Sequence, residues 1–206
     1  MTRDQLYQVI QRSFSQAIQE CQQFELEQGP QDNLTRCHAN RSREWINCLA
    51  KQLLQVSKDN HSIAEDKFLA FYRGNDKDRQ VFGLNEFLFD IVVAKMLELN
   101  TASGWRNAKA TDGMLKAIEK AIWIVESEFQ LKDSRALLVD MNKLALAKAK
   151  NKLFVMSLDP LSKMNTWAEQ TLKTLTKGDD AAVFLAKIPH PKDWSVNQHI
   201  ELIEIL

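Results

Sequence analysis

The chain is 206 residues long, 45% hydrophobic and 26% charged, with only 6 Gly and 4 Pro. That composition suits a globular protein with one sizeable core and leaves little for disordered linkers. Its 27 basic and 27 acidic side chains cancel, so any polyanion site must come from a local patch and not from the overall field.

No apolar run approaches the roughly 20 residues needed to span a bilayer. The first residues, Met1 to Gln5, lack the apolar core of a secretory signal, so the expectation is a cytoplasmic protein with no membrane partner. Cys21, Cys37 and Cys48 are an odd number with spacings that fit no common zinc pattern, which predicts reduced, partly buried cysteines.

Residues 2–28 read as an amphipathic helix. Leu6, Ile10, Phe14, Ala17, Cys21 and Phe24 recur at three- and four-residue steps, and Gly29-Pro30 ends the pattern. Residues 42–57 repeat it with Ile46, Leu49, Leu53 and Val56. A third helix is expected over 62–72, where Ser62 and Glu65 fit a capping box. Residues 1–83 thus form a helical N-terminal region packed on the remainder of the chain. Arg73 to Arg79 is a charged loop of turn-favouring residues.

After Gly83 the texture changes. Residues 86–96 are dense in aromatic and β-branched types and predict a strand, with Asp90 inside it and Glu86 four residues before on the same face. Residues 113–120 are expected to make one or two helical turns. Ala121-Ile122-Trp123-Ile124-Val125 then runs into Glu126-Ser127-Glu128, a strand buried on both faces and ending in two carboxylates on one side. Like charges at the end of a buried strand are costly unless something offsets them, and a divalent cation would.

A helix over 134–149, a strand over 152–158, a helix over 162–177 closed by Gly178, a strand over 181–188 and a last strand over 199–206 complete the pattern. The alternation predicts an α/β core over 84–206, a mixed central sheet flanked by helices. No Ser/His/Asp order, phosphate-binding Gly-rich loop or dinucleotide fingerprint occurs.

Acids from two neighbouring strands can converge on a hard cation such as Mg²⁺. Asp90 on one strand, Glu126-Ser127-Glu128 on the next, then a helix and a further strand resemble the PD-(D/E)XK nuclease superfamily over roughly residues 84–158. Asp90 matches that family's first acid and Glu126 its second. Glu128 stands where lysine is usual, a departure found in some active type II restriction endonucleases. Lys132 and Lys143 are nearby stand-ins for the missing lysine, which normally positions or polarises the attacking water.

The resemblance implies a restriction-endonuclease-like core and Mg²⁺-dependent cleavage of DNA in a restriction or defence setting. Asp90 and Glu126 would ligate the metal, and Glu128 would orient or deprotonate water. Arg73, Lys77 and Arg79, with Lys148, Lys150 and Lys152, are the cations placed to meet phosphates. The alternative is a catalytically inactive scaffold of the same kind that binds another protein or a second copy of itself. The plainest reading has Glu126 and Glu128 marking a strand that leaves the core, with Asp90 a satisfied structural acid.

Overall fold

A computed structural model of the chain describes residues 1–28, 34–60, 67–76, 87–100, 114–130, 133–158, 163–194 and 199–206. Two long helices come first, α1 (Arg3–Gln28) and α2 (Leu34–Asp59). After them come β1 (Phe68–Tyr72), β2 (Ile91–Asn100), β3 (Met114–Glu128), α3 (Ser134–Leu146), β4 (Asn151–Ser157), α4 (Lys163–Leu175), β5 (Ala182–Ile188), a 3-10 turn (Pro191–Asp193) and β6 (Glu201–Glu204).

The six strands form one sheet in chain order, so every strand lies beside its neighbours in sequence. Pairings β1/β2, β2/β3 and β5/β6 are antiparallel, and β3/β4 and β4/β5 are parallel. Each parallel step needs a crossover, which α3 and α4 supply.

Side-chain alternation along the strands builds two cores. Ile91, Val93, Trp123, Val125, Leu153 and Val155 face α1 and α2, where Leu6, Ile10, Phe14, Trp45 and Leu49 are buried. Val92, Ala94, Ile124, Phe154 and Met156 face the opposite way, onto Leu137, Met141 and Leu144 of α3 and Ala168 and Leu172 of α4. Each fully buried Leu or Phe contributes about 2 kcal/mol of transfer free energy. The result is a three-layer α/β sandwich with a mixed sheet, as the alternating pattern predicts. Arg3 closes one corner by donating to the Leu202 carbonyl from Nε and Nη2, at 3.1 and 3.0 Å.

Three local expectations are corrected. Phe68–Tyr72 is a strand and not the end of a helix, so part of the sheet comes from the stretch expected to be helical. Its continuous apolar run is buried from both sides and pairs residue by residue with Lys95 back to Ile91. Ser62 and Glu65 lie outside the described residues.

Residues 114–120 are also extended, making β3 fifteen residues long. Within this part of the β2–β3 hairpin Lys116 and Ala117 are half-buried and Ile118, Glu119 and Lys120 are exposed, so no period-2 burial is there for a sequence reading to find. A register shift between Lys95 and Met96 and a Lys95–Glu119 ion pair of 2.7 Å occur along it, and a second shift lies just before it, between Val93 and Ala94. The third correction concerns Asp90, which sits in a bend immediately before β2 and not within the strand. Glu86 lies outside the described residues.

Candidate active site

The antiparallel β2–β3 pair brings the start of β2 to the end of β3, with Ile91 opposite Val125. Asp90, one residue before β2, therefore reaches the Glu126–Glu128 segment. Its Oδ2 accepts the Ser127 backbone N–H at 2.8 Å and the Ser127 hydroxyl at 2.6 Å. Oδ1 makes no hydrogen bond with a described residue. Burial pushes the Asp90 carboxyl above its ordinary pKa, and the two bonds from Ser127 pull it partly back.

Glu126 points to the other side of β3, toward α3, and is 2% exposed. Lys143 of α3 places Nζ 3.1 Å from Glu126 Oε1 and 2.7 Å from Asp140 Oδ1. This buried oxygen is held by the ammonium's charge and has no hydrogen-bond partner of regular geometry. Burial, then the charge of Asp90, push the Glu126 carboxyl up to about 8 against the attraction of Lys143. Burial draws the Lys143 pKa down, but the Asp140 and Glu126 carboxylates outweigh it and the net shift is upward.

Glu128 lies at the strand end, half-buried, with Oε1 accepting the Gln130 backbone N–H at 2.7 Å. Burial raises its pKa too, offset mainly by that bond. α3 is aimed past these acids by Asp133, which caps it by accepting from the backbone N–H groups of Arg135 and Ala136 at 2.9 and 3.1 Å. Leu137, Met141 and Leu144 then bury against the sheet, which sets Asp140 and Lys143 on the flank beside Glu126.

On the α1–α2 side, Asp90 and Glu128 line a cleft of about 430 Å³ together with His38 and Arg43 of α2, Arg73 and His190. Arg43 and Arg73 are exposed and make no hydrogen bond or ion pair with another described residue. The His190 Nδ1 accepts the Lys192 backbone N–H at 3.2 Å, so the neutral ring carries its proton on Nε2. Burial, then the charge of Lys192, lower the His190 pKa, which favours the neutral ring. Phe129 and His38 meet the His190 ring edge-on, with centroids 6.5 and 6.1 Å away.

Among the residues expected to act, Asp90, Glu128 and Arg73 share this cleft, whereas Glu126 is not among its lining residues and pairs with Lys143 on the α3 side of β3. Lys77, Arg79 and Lys132 fall outside the described residues. Lys148 and Lys150 are placed elsewhere, around a separate cleft of about 960 Å³ with Lys120 and Lys177. The Lys150 N–H donates to the Ala121 carbonyl at 3.1 Å. At about 3.3 Å per residue, this point is roughly 20 Å along β3 from Glu128. Here the lysines meet the C-terminal ends of α3 and α4, where cations complement the helix dipoles. Lys152 is buried at 1% exposure, donates to the Ala145 carbonyl at 3.4 Å and pairs with Asp179, so its charge is consumed inside the fold.

Asp140, Arg43, His38 and His190 are additions from the structure. Asp140 was legible as an i,i+3 partner of Lys143 on one helix face. The other three had no sequence cue, because the cleft is made by α2 meeting the turn after β5.

Among the described residues, the one group of three or more metal-capable donors whose ligand atoms lie within 4.8 Å of one another is Glu20, Glu44 and Cys48, across α1 and α2; Asp90, Glu126 and Glu128 do not form such a group. Its internal bonds account for it. Cys48 Sγ lies 3.7 Å from a Glu20 oxygen and 3.9 Å from a Glu44 oxygen. The side-chain contact with Glu44 lowers the Glu20 pKa, while burial and then Glu20 raise that of Glu44.

No protein-family model, curated protein or solved structure matches the chain, so the reading of this site rests on its own residues.

Proposed function

We propose that the chain is a divalent-metal-dependent nuclease with a restriction-endonuclease-like core, acting on DNA. The observation that carries this reading is the 3.1 Å contact between Lys143 and the buried Glu126 carboxylate, beside Asp90. It joins two acids and a lysine at one strand end. The nuclease superfamily draws the same three chemistries from neighbouring strands; here the lysine comes from α3. Further support is the order of elements, an antiparallel pair followed by a helix and a strand parallel to the second member.

The residues present fit Mg²⁺. Asp90 Oδ1 is free of hydrogen bonds from described residues, and Glu126 Oε1 is buried without one. Two like charges within each other's field gain from a cation. Mg²⁺ is commonly held by one or two carboxylates, with waters and substrate phosphate completing its shell. Asp90 and Glu126 would hold it, and when bound it would activate water and offset charge on a phosphodiester. Ser127 fixes the Asp90 rotamer through two bonds to one oxygen, leaving the other to ligate. Lys143 favours the ionised form of Glu126, against burial and Asp90, and supplies a cation near the attacking water. Glu128 accepts a proton from that water or orients it. Arg73 and Arg43 meet the phosphates.

The test is cleavage of plasmid and oligonucleotide DNA with Mg²⁺ or Mn²⁺, alongside thermal melting with and without metal. Wild type should cut at least one of these DNAs and melt higher with metal, and Asp90→Asn and Glu126→Gln should lose both effects. A wild type that neither cuts DNA nor gains stability from either metal overturns the proposal.

A further inference from the structure

The cleft beside the acids carries features that a metal site does not require. Two guanidiniums, Arg43 and Arg73, come from different elements, line it, are exposed and have no ion-pair partner among the described residues. A neutral imidazole, His190, offers an Nε2–H donor, and Phe129 presents a ring at its edge. Planar guanidiniums suit phosphate oxygens, and an aromatic ring suits a base.

Size and closure narrow the class of ligand. About 430 Å³ lies within the range of small-molecule pockets. A B-DNA major groove alone is about 12 Å wide, so a duplex does not enter such a space. Arg41 Nη1 donates to the Pro191 carbonyl at 2.9 Å and joins α2 to the turn after β5. The two walls are thereby tied, which opposes their parting into a through-groove.

We infer that this cleft takes one unpaired nucleotide at the end of a nucleic-acid strand, with its terminal phosphate on Arg43 and Arg73 and its base against Phe129 and His190. The inference rests on the nuclease reading and sharpens it, because it makes the substrate a strand end and not an internal duplex site. The shared chemistry is a phosphate monoester on a single-stranded end, from the 5′ or the 3′ side. Asp90 and Glu128, lining the same space, put the bond next to that nucleotide within reach of the metal site.

The test is fluorescence anisotropy on the full chain with Ca²⁺ in place of Mg²⁺. The probes are single-stranded oligonucleotides with a 5′-phosphate, a 3′-phosphate or two hydroxyl ends, and a blunt duplex. One phosphorylated end should bind about tenfold more tightly than the unphosphorylated strand, as expected for charge-assisted bonds to phosphate. Arg43→Ala and Arg73→Ala should each erase that preference, with unchanged melting temperatures because both side chains are exposed.

Equal binding of all single strands, binding of the duplex as tight as the best single strand, or a preference that survives the double Arg43→Ala/Arg73→Ala change overturns the inference. The two readings fail separately. End-selective binding without metal-dependent cleavage sinks only the nuclease. Cleavage of closed circular DNA with no preference for ends sinks only the terminal-nucleotide site.

Discussion

Lys143 of α3 holds its ammonium 3.1 Å from Glu126, a carboxylate that is 3% exposed on the neighbouring strand, while the lysine itself is 39% exposed. The pair thus bridges solvent and core, with Asp140 bracing the lysine from one turn earlier. Removing the cation leaves a buried charge without its counter-ion, a loss that exposure of the lysine moderates. Lys143→Ala should cost about 1–2 kcal/mol at pH 9, where Glu126 is ionised, and clearly less at pH 5, where it is protonated. Urea unfolding at both pH values checks this; equal losses would count against the pair.

The Glu126 carboxyl, ordinarily near 4.5, is pushed up to about 8, so the folded state binds its proton more tightly than the unfolded chain does. Its contribution is fully present below pH 4.5 and is lost as pH rises through about 8. The wild type should therefore lose stability over that window. Glu126→Gln, which cannot ionise, should flatten the decline. Melting temperatures at pH 5, 6.5 and 8 measure it, and an unchanged slope in the variant would refute the assignment.

The metal binding proposed for Asp90 and Glu126 must compete with that same proton, since only ionised carboxylates ligate. Affinity for Mn²⁺ should rise between pH 6 and pH 8.5. The proton released should appear in calorimetry as a binding heat that changes with the buffer's ionisation enthalpy. Asp90→Asn should abolish the binding. A pH-independent affinity would place the metal elsewhere.

Lys152 is buried in the sheet against Asp179, whose own pKa is lowered: burial works to raise it, but the bond from Lys152 outweighs this. Asp179→Ala strands the ammonium and should cost about 3 kcal/mol in chemical unfolding. Lys152→Met in the Asp179→Ala background should recover most of it. No recovery would mean that Asp179 acts chiefly through its turn, where it also accepts the Ala181 N–H at 3.0 Å.

Cys48 is buried between α1 and α2, and burial with the charges of Glu20 and Glu44 pushes its thiol up to about 12. The thiolate is the reactive form. In the native protein at pH 8, Cys48 should resist thiol reagents and label only as fast as the chain opens. Mass spectrometry after timed alkylation reads this, and prompt labelling of Cys48 would contradict its burial.

The sequence by itself determined the elements whose burial pattern is written locally. The helices over 3–28 and 134–146, and the apolar strands ending at Glu128 and Ser157, arise from periodicity, capping residues and continuous apolar runs. Asp90, Glu126 and Glu128 stood out because a carboxylate beside an apolar run needs a reason. Pairing decided the rest. Phe68–Tyr72 is a strand because β2 offers it a ladder, and residues 114–120 are extended because β2 pairs with them too.

Tertiary structure alone also sorted the charges. It carried Lys148 and Lys150 to the far end of the sheet, set Lys143 against Glu126, and closed a cleft with Arg43 and His190. The hydrogen bond joining the two walls of that cleft spans 150 residues of sequence. Local propensity acts over a few residues along the chain, whereas a cleft depends on which faces of distant elements meet. The acids and a set of candidate cations were therefore legible in the sequence, and which of those cations stand beside the acids became visible only in the fold.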